Sequence, residues 1–290
     1  MERKSERSSR LILHLYSALL LTMCLPLLDA KDAKMKPEEL VTRHLDSIGT
    51  AEARGAVKNR VANAGSQFTQ RLPTGGQVVG PAMIVSEAKM LRISMMFGAQ
   101  DLPSEQLVFD GSKVLISQAQ PGRRSATGLF FYTYDDLIRE GLVGGTLTTA
   151  WALLDVPERK AKLDYNGLKK IDGKMMHELR YRPRKGVGDI TISLHFDPET
   201  FRHVHTEFKM TRPADMARTP ADSSAQRETV YHIQEYFEDF KQVDSLTLPH
   251  VYRITYSREG MSDTILLEYK LVVSSILHNQ TLDAKAFTLQ

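Results

Sequence analysis

The residues in this chain that could do chemistry are histidines flanking a turn. His195, His203 and His205 lie on either side of Asp197-Pro198-Glu199-Thr200, and apolar and polar residues alternate in both arms. Alternation with a period of two predicts a β-hairpin, because successive strand side chains point to opposite faces. Ile190, Ile192, Leu194 and Phe196 share one face of the first arm, and Val204, Thr206, Phe208 and Met210 share one face of the second. A register that buries both sets together pairs Asp197 with Phe201 and His195 with His203. His205 then lies two residues along the same face. Cross-strand Cβ separations of about 4.5 to 5.5 Å would let the imidazoles share a divalent ion. Glu207 continues that face, but so do Thr191, Ser193 and Lys209. Histidines in such company ordinarily meet water, so no metal is assigned and these three are the candidates if one binds.

Other reactive arrangements are missing from the sequence. It contains no Gly-x-Ser-x-Gly elbow, no phosphate-cradling loop ending in Lys-Ser/Thr, no His-Glu-x-x-His and no paired cysteine spacing. The expectation is a protein that is not an enzyme and carries no cofactor. With 38 basic against 35 acidic residues the net charge is +3, and no basic block concentrates it. A nucleic-acid partner, which needs a clustered cationic surface, is not expected.

Residues 1–30 read as an export signal. Arg3, Lys4, Arg7 and Arg10 precede an apolar run from Leu11 to Leu28, and cleavage after Ala30 is expected. The alternative is a retained anchor, since the run is at the short end of a membrane span of about 20 residues. Cys24, the only cysteine, closes Leu21-Thr22-Met23-Cys24, which has the outline of a lipid-attachment box with Met23 where a small residue belongs. Without the leader the chain holds no thiol, and its stability must come from its core.

The remainder, 31–290, reads as one domain. Pro37 to Ile48 is predicted as a helix, with Pro37, Glu38 and Glu39 suiting its first turn and Gly49 ending it. Strand-like alternation follows almost without pause. Strands are predicted at 61–71, 76–86, 89–97, 106–109, 113–118, 161–171, 174–182, the hairpin above, 228–241, 251–258 and 264–274. A helical insertion over 133–154 interrupts them, with a capping box from Thr133 to Asp136 and the pair Gly144-Gly145 inside it. It is expected to act as a movable lid or as a fixed plug. Residues 212–227 are expected to form a long flexible loop.

The phrases Glu235-Tyr-Phe-Glu-Asp-Phe-Lys-Gln-Val-Asp-Ser-Leu-Thr-Leu-Pro-His250, Phe196-Asp-Pro-Glu-Thr200 and Asn279-Gln-Thr-Leu-Asp-Ala-Lys-Ala-Phe287 resemble those of the LolA-like outer-membrane lipoprotein-sorting proteins of bacteria. The likeness runs from about residue 37 to the end. It implies an α+β fold: a curved sheet forming an incomplete antiparallel β-barrel, covered by helices around an apolar cavity. It also implies a periplasmic carrier that shelters lipid or lipoprotein acyl chains. The family's ligand-release residues are not placed on this sequence, and the 212–227 loop has no counterpart in its pattern.

On that reading the cavity lining would be Ile192, Leu194, Phe208, Tyr252, Ile254, Leu267 and Tyr269, with Leu137, Leu142 and Trp151 on the cover. Each could equally be ordinary core. The alternative is an envelope interaction or regulatory module of the same fold, its cavity filled by its own side chains and its partners envelope proteins. A monomer is expected in either case.

Overall fold

Twelve antiparallel strands form one sheet. In chain order they are β1 (Asn59–Leu72), β2 (Gly76–Glu87), β3 (Met90–Met96), β4 (Ser104–Phe109), β5 (Val114–Ile116), β6 (Lys162–Ile171), β7 (Lys174–Arg182), β8 (Thr191–Phe196), β9 (His203–Arg212), β10 (Thr229–Val243), β11 (Leu246–Glu259) and β12 (Thr264–His278). The spatial order is β5-β4-β3-β2-β1-β12-β11-β10-β9-β8-β7-β6, so the N-terminal and C-terminal meanders meet where β1 pairs with β12. β5 and β6 are the two ends and do not pair with each other. The barrel is therefore incomplete, as expected, and not closed. This computed structural model describes residues 35–185, 187–213, 228–260 and 264–289. The leader, Cys24 and nearly all of the 212–227 loop lie outside the described residues.

One face of the sheet is apolar and covered. On β11 the even positions Tyr252, Ile254 and Tyr256 are buried, and on β12 the odd positions Leu267, Tyr269, Leu271 and Val273 are buried with them. Their cover comes from two places. The first is helix α1 (Pro37–Ile48), which buries Leu40, His44 and Ile48 and ends at Gly49. A Cβ at Gly49 would lie 2.7 Å from the Ser245 carbonyl oxygen, so only glycine fits against the turn before β11. The short α2 (Ala51–Gly55) follows, capped by Thr50.

The second is the insertion between β5 and β6, which starts earlier than its apolar spacing suggested. It comprises α3 (Ala126–Thr133), α4 (Asp136–Arg139), 3-10 turns at Gly145–Leu147 and Ala152–Asp155, and α5 (Val156–Arg159). The expected capping box at Thr133 does not form. Thr133 ends α3, and its hydroxyl donates back to the Leu129 carbonyl. The working cap is Ser125, whose Oγ accepts the Gly128 N–H at 2.8 Å.

Two differences from the expected strands have local causes. β11 begins at Leu246 because Pro249 is tolerated there: β12 pairs with β11 only from Val251 onward, which leaves that edge of residues 246–250 free. The β8–β9 hairpin takes another register. Asp197 and Arg202 close the turn, with Phe201 in the left-handed region at φ 56°. A bulge follows, so that Phe196 faces His203 while His195 faces His205. The expected pairing of His195 with His203 is overturned.

His44 ties these parts together. Its Nδ1 donates to the Phe201 carbonyl at 3.1 Å and its Nε2 accepts the Trp151 Nε1–H at 2.9 Å, which joins α1 to the hairpin turn and to the cover. Accepting the indole N–H requires the neutral imidazole, and burial pushes its pKa down to about 3. His44→Ala leaves a void and an unpaired indole N–H. It is expected to cost about 2–4 kcal/mol of unfolding free energy in urea titrations, and a loss below 1 kcal/mol would show that α1 is held by something else.

Candidate functional site

The bulge distributes the three histidines over both faces of the sheet. His203 turns to the covered side, stacked on Trp151 at 4.5 Å between ring centroids and 4.8 Å from Phe237. His195 and His205 stack on each other at 4.8 Å on the opposite side, with Nδ1 atoms 2.9 Å apart, so one ring donates and the other accepts. Burial lowers the pKa of all three, His205 to about 3. Among the described residues no group of three or more His, Cys, Asp or Glu side chains is placed to hold a metal ion. The three-histidine arrangement read from the sequence fails because its register was one bulge short.

The expected lining residues divide into two groups. Ile192, Leu194, Phe208, Tyr252, Ile254, Leu137 and Leu142 are each at most 1% exposed and pack into one apolar cluster. Leu267 and Tyr269 border an open cleft, and Trp151 borders a separate cavity.

That cleft, of about 510 Å³, lies where β1 and β12 pass the start of α3. Phe68, Ile265, Leu267 and Tyr269 line it from the sheet, and Gln70, Asp101, Gln120, Arg123 and Arg124 add polar groups. A second cleft of about 210 Å³ is bordered by Leu129, Phe130, Thr133 and Tyr134 of the cover and by Met210, Arg212, Tyr231, Tyr256 and Arg258 of the sheet. Ala126 borders both clefts. Leu129 and Tyr132 leave α3 half exposed on an apolar helix.

Ala126, Leu129 and Phe130 escaped the sequence reading because the α3 segment, Ala126-Thr-Gly-Leu-Phe-Phe-Tyr-Thr133, has no polar stripe to mark it as a helix. Phe68 was within reach, since it lies in phase with buried Ala62, Ala64 and Ser66 on β1.

Two buried carboxyls fasten the cover to the sheet. Glu105 on β4 accepts the Tyr269 hydroxyl at 3.2 Å, and a Cβ at Gly128 of α3 would come within 2.7 Å of its Oε1. Glu235 on β10 accepts the Gly144 N–H at 2.9 Å and the Tyr252 hydroxyl. Burial pushes each carboxyl up to about 7, against hydrogen bonds that favour the charged form.

No family model matches the chain, and no curated protein sequence matches it. In fold it is similar to solved structures. A LolA superfamily protein from Nitrosomonas europaea is 12% identical with a TM-score of 0.45, over 88% of this chain and 98% of that one. An outer membrane lipoprotein-sorting protein domain from Vibrio parahaemolyticus is 12% identical with a TM-score of 0.40, over 87% and 97%. A MucA/MucB complex from Pseudomonas aeruginosa gives 11% identity and a TM-score of 0.22, over 84% and 100%.

The buried carboxyls give a pH dependence with a definite sign. Each pKa is raised from 4.5 to about 7 on folding, so the folded state holds the extra proton between those values and stability falls as pH rises through them. Glu235→Gln removes one such contribution. Its unfolding free energy relative to the parent is expected to improve by roughly 2–3 kcal/mol between pH 5 and pH 8, measured by urea titration at both values. A difference independent of pH would mean that Glu235 is ionised throughout.

Proposed function

We propose that the protein is an exported, periplasmic, non-enzymatic carrier that binds lipid or lipoprotein acyl chains in the clefts flanking α3. The observation that carries the reading is the cleft of about 510 Å³, floored by Phe68, Leu267 and Tyr269, with a second cleft on the other side of Ala126, which lines both. Its volume lies within the ~300–1,000 Å³ usual for small-ligand sites. Burial rewards a chain by about 0.8 kcal/mol per methylene, so ten methylenes would contribute about 8 kcal/mol before ordering costs. Arg123, Arg124 and Arg212 at the borders suit an anionic head group. Among the described residues no helix is long and apolar enough to cross a membrane.

The envelope-module alternative has one observation in its favour, the packed state of seven expected lining residues. Extraction separates the two readings. Protein purified from cells is expected to release lipid in near-stoichiometric amount into organic solvent, whereas a filled module would release none. Ala126→Trp places an indole at the wall both clefts share and is expected to weaken binding of a fluorescent long-chain acyl probe at least tenfold, with little change in melting temperature. Unaltered binding in that variant would place the chain elsewhere.

A further inference from the structure

Arg60 is a buried cation without a carboxylate beside it. It stands near the start of β1 at 5% exposure. Its Nε donates to His278 Nε2 at 3.1 Å and its Nη1 to the Thr146 carbonyl at 2.5 Å, and no Asp or Glu among the described residues forms an ion pair with it. A negative charge is relayed to it through His278, whose Nδ1 meets the exposed Asp244 at 2.7 Å. Nη2 has no partner among the described residues. Taking a guanidinium out of water with so little compensation is costly, and burial lowers its pKa to about 10.

The same side chain borders a cavity of about 330 Å³. Arg54, Thr146, Thr148 and Thr149 also line it, and no lining residue is acidic. Thr146 is 4% exposed, and its Oγ1 has no hydrogen-bond partner. A buried cation short of a counter-charge and an orphaned hydroxyl border one space with a second arginine, Arg54, whose Nη1 is held by the Leu45 and Gly49 carbonyls and lies 3.9 Å from Asp46. Ile48, Val57 and Leu246 supply apolar wall. This cavity is separate from the α3 clefts: Arg60 and Phe68 are eight residues apart on β1, roughly 26 Å at strand rise.

We propose that this cavity is a binding site for an anionic oxygen group, a carboxylate or phosphate, held by Arg60 and Arg54 with the Thr146 hydroxyl as a further ligand. A bound anion would supply Arg60 with the counter-charge the chain withholds, through a charge-assisted hydrogen bond. The apolar wall leaves room for a short hydrocarbon attached to the group. The proposal does not depend on the carrier reading, because it concerns different residues at the other end of the strands.

Trp151, the only tryptophan in the chain, borders the cavity and reports on it. Inorganic phosphate, octanoate and the neutral control 1-octanol are titrated at low ionic strength into the purified Ala126→Trp variant and the parent, with calorimetry on both and tryptophan fluorescence on the parent. Octanoate is expected to bind both proteins and to change Trp151 emission, with octanol at least tenfold weaker. Phosphate competing with octanoate assigns the site to free anions as well; octanoate binding without phosphate binding assigns it to the head of an amphiphile. Arg54→Gln and Thr146→Val are each expected to weaken octanoate at least fivefold, and Arg60→Met to abolish it. Should Arg60→Met fail to fold, the other two variants decide. Equal affinity for octanol and octanoate, no octanoate binding, or unchanged affinity in both Arg54→Gln and Thr146→Val overturns the proposal.

Discussion

An open sheet with one greasy face has to be covered, and the cover here is made of segments too short to hold their own shape. α3 spans eight residues, α4 and α5 four each, and the rest of the insertion is 3-10 turn and loop. Isolated helices of that length are unstable in water. Their positions must be dictated by what they touch, and their exposed backbone groups must find partners when buried. The structure meets both needs with buried polar groups on the sheet: Glu235 takes the Gly144 N–H, Arg60 takes the Thr146 carbonyl, and Ser86 Oγ takes the Thr149 N–H. His44 does the same for the Trp151 indole. Each is a fixed point that an apolar contact alone would not specify.

That arrangement explains why the middle of the covered face is filled while its ends are not. Near Gly144–Gly145 the backbone of the cover comes so close that a Cβ at Gly145 would lie 2.7 Å from Phe237 and 3.0 Å from His203. Trp151 lies flat on His203 in the same region. Towards the start of α3 a Cβ at Gly128 would meet Glu105 in the same way, and beyond it Phe68, Leu267 and Tyr269 border the cleft of about 510 Å³.

Much of the sheet was legible in the sequence because its strands alternate cleanly and its turns carry signals such as Asp110-Gly111, Asp172-Gly173 and Pro73-Thr-Gly-Gly76. α1 was read to the residue, since Pro37, the acidic first turn and Gly49 mark both ends. What was not legible depended on single residues acting at a distance from their neighbours in sequence. One extra residue in β9 moved His203 across the sheet, and nothing in the alternation of 203–210 announces a bulge whose cause is the left-handed Phe201. Apolar faces identified which residues are buried but could not say which were buried against protein and which against a void, as Tyr252 and Tyr269 illustrate. Both are fully buried tyrosines on the same face, both bonded to a glutamate, yet Tyr269 borders the cleft of about 510 Å³ while Tyr252 stacks on Phe237.

The two ends of the covered face differ in chemistry as well as in place. At the α3 end, floor residues are aromatic and aliphatic, and the buried carboxyl beside them, Glu105, is pushed by burial towards its neutral form. At the α1 end the buried group is Arg60, which stays cationic across the physiological range even with its pKa lowered to about 10. A carboxyl can lose its charge on burial at modest cost, whereas a guanidinium keeps it and must be solvated by something. Thr146 O and His278 provide two dipoles for that purpose, and Asp244 polarises the second. The sheet thus holds a carboxyl that sheds its charge at one end and a guanidinium that cannot do so at the other.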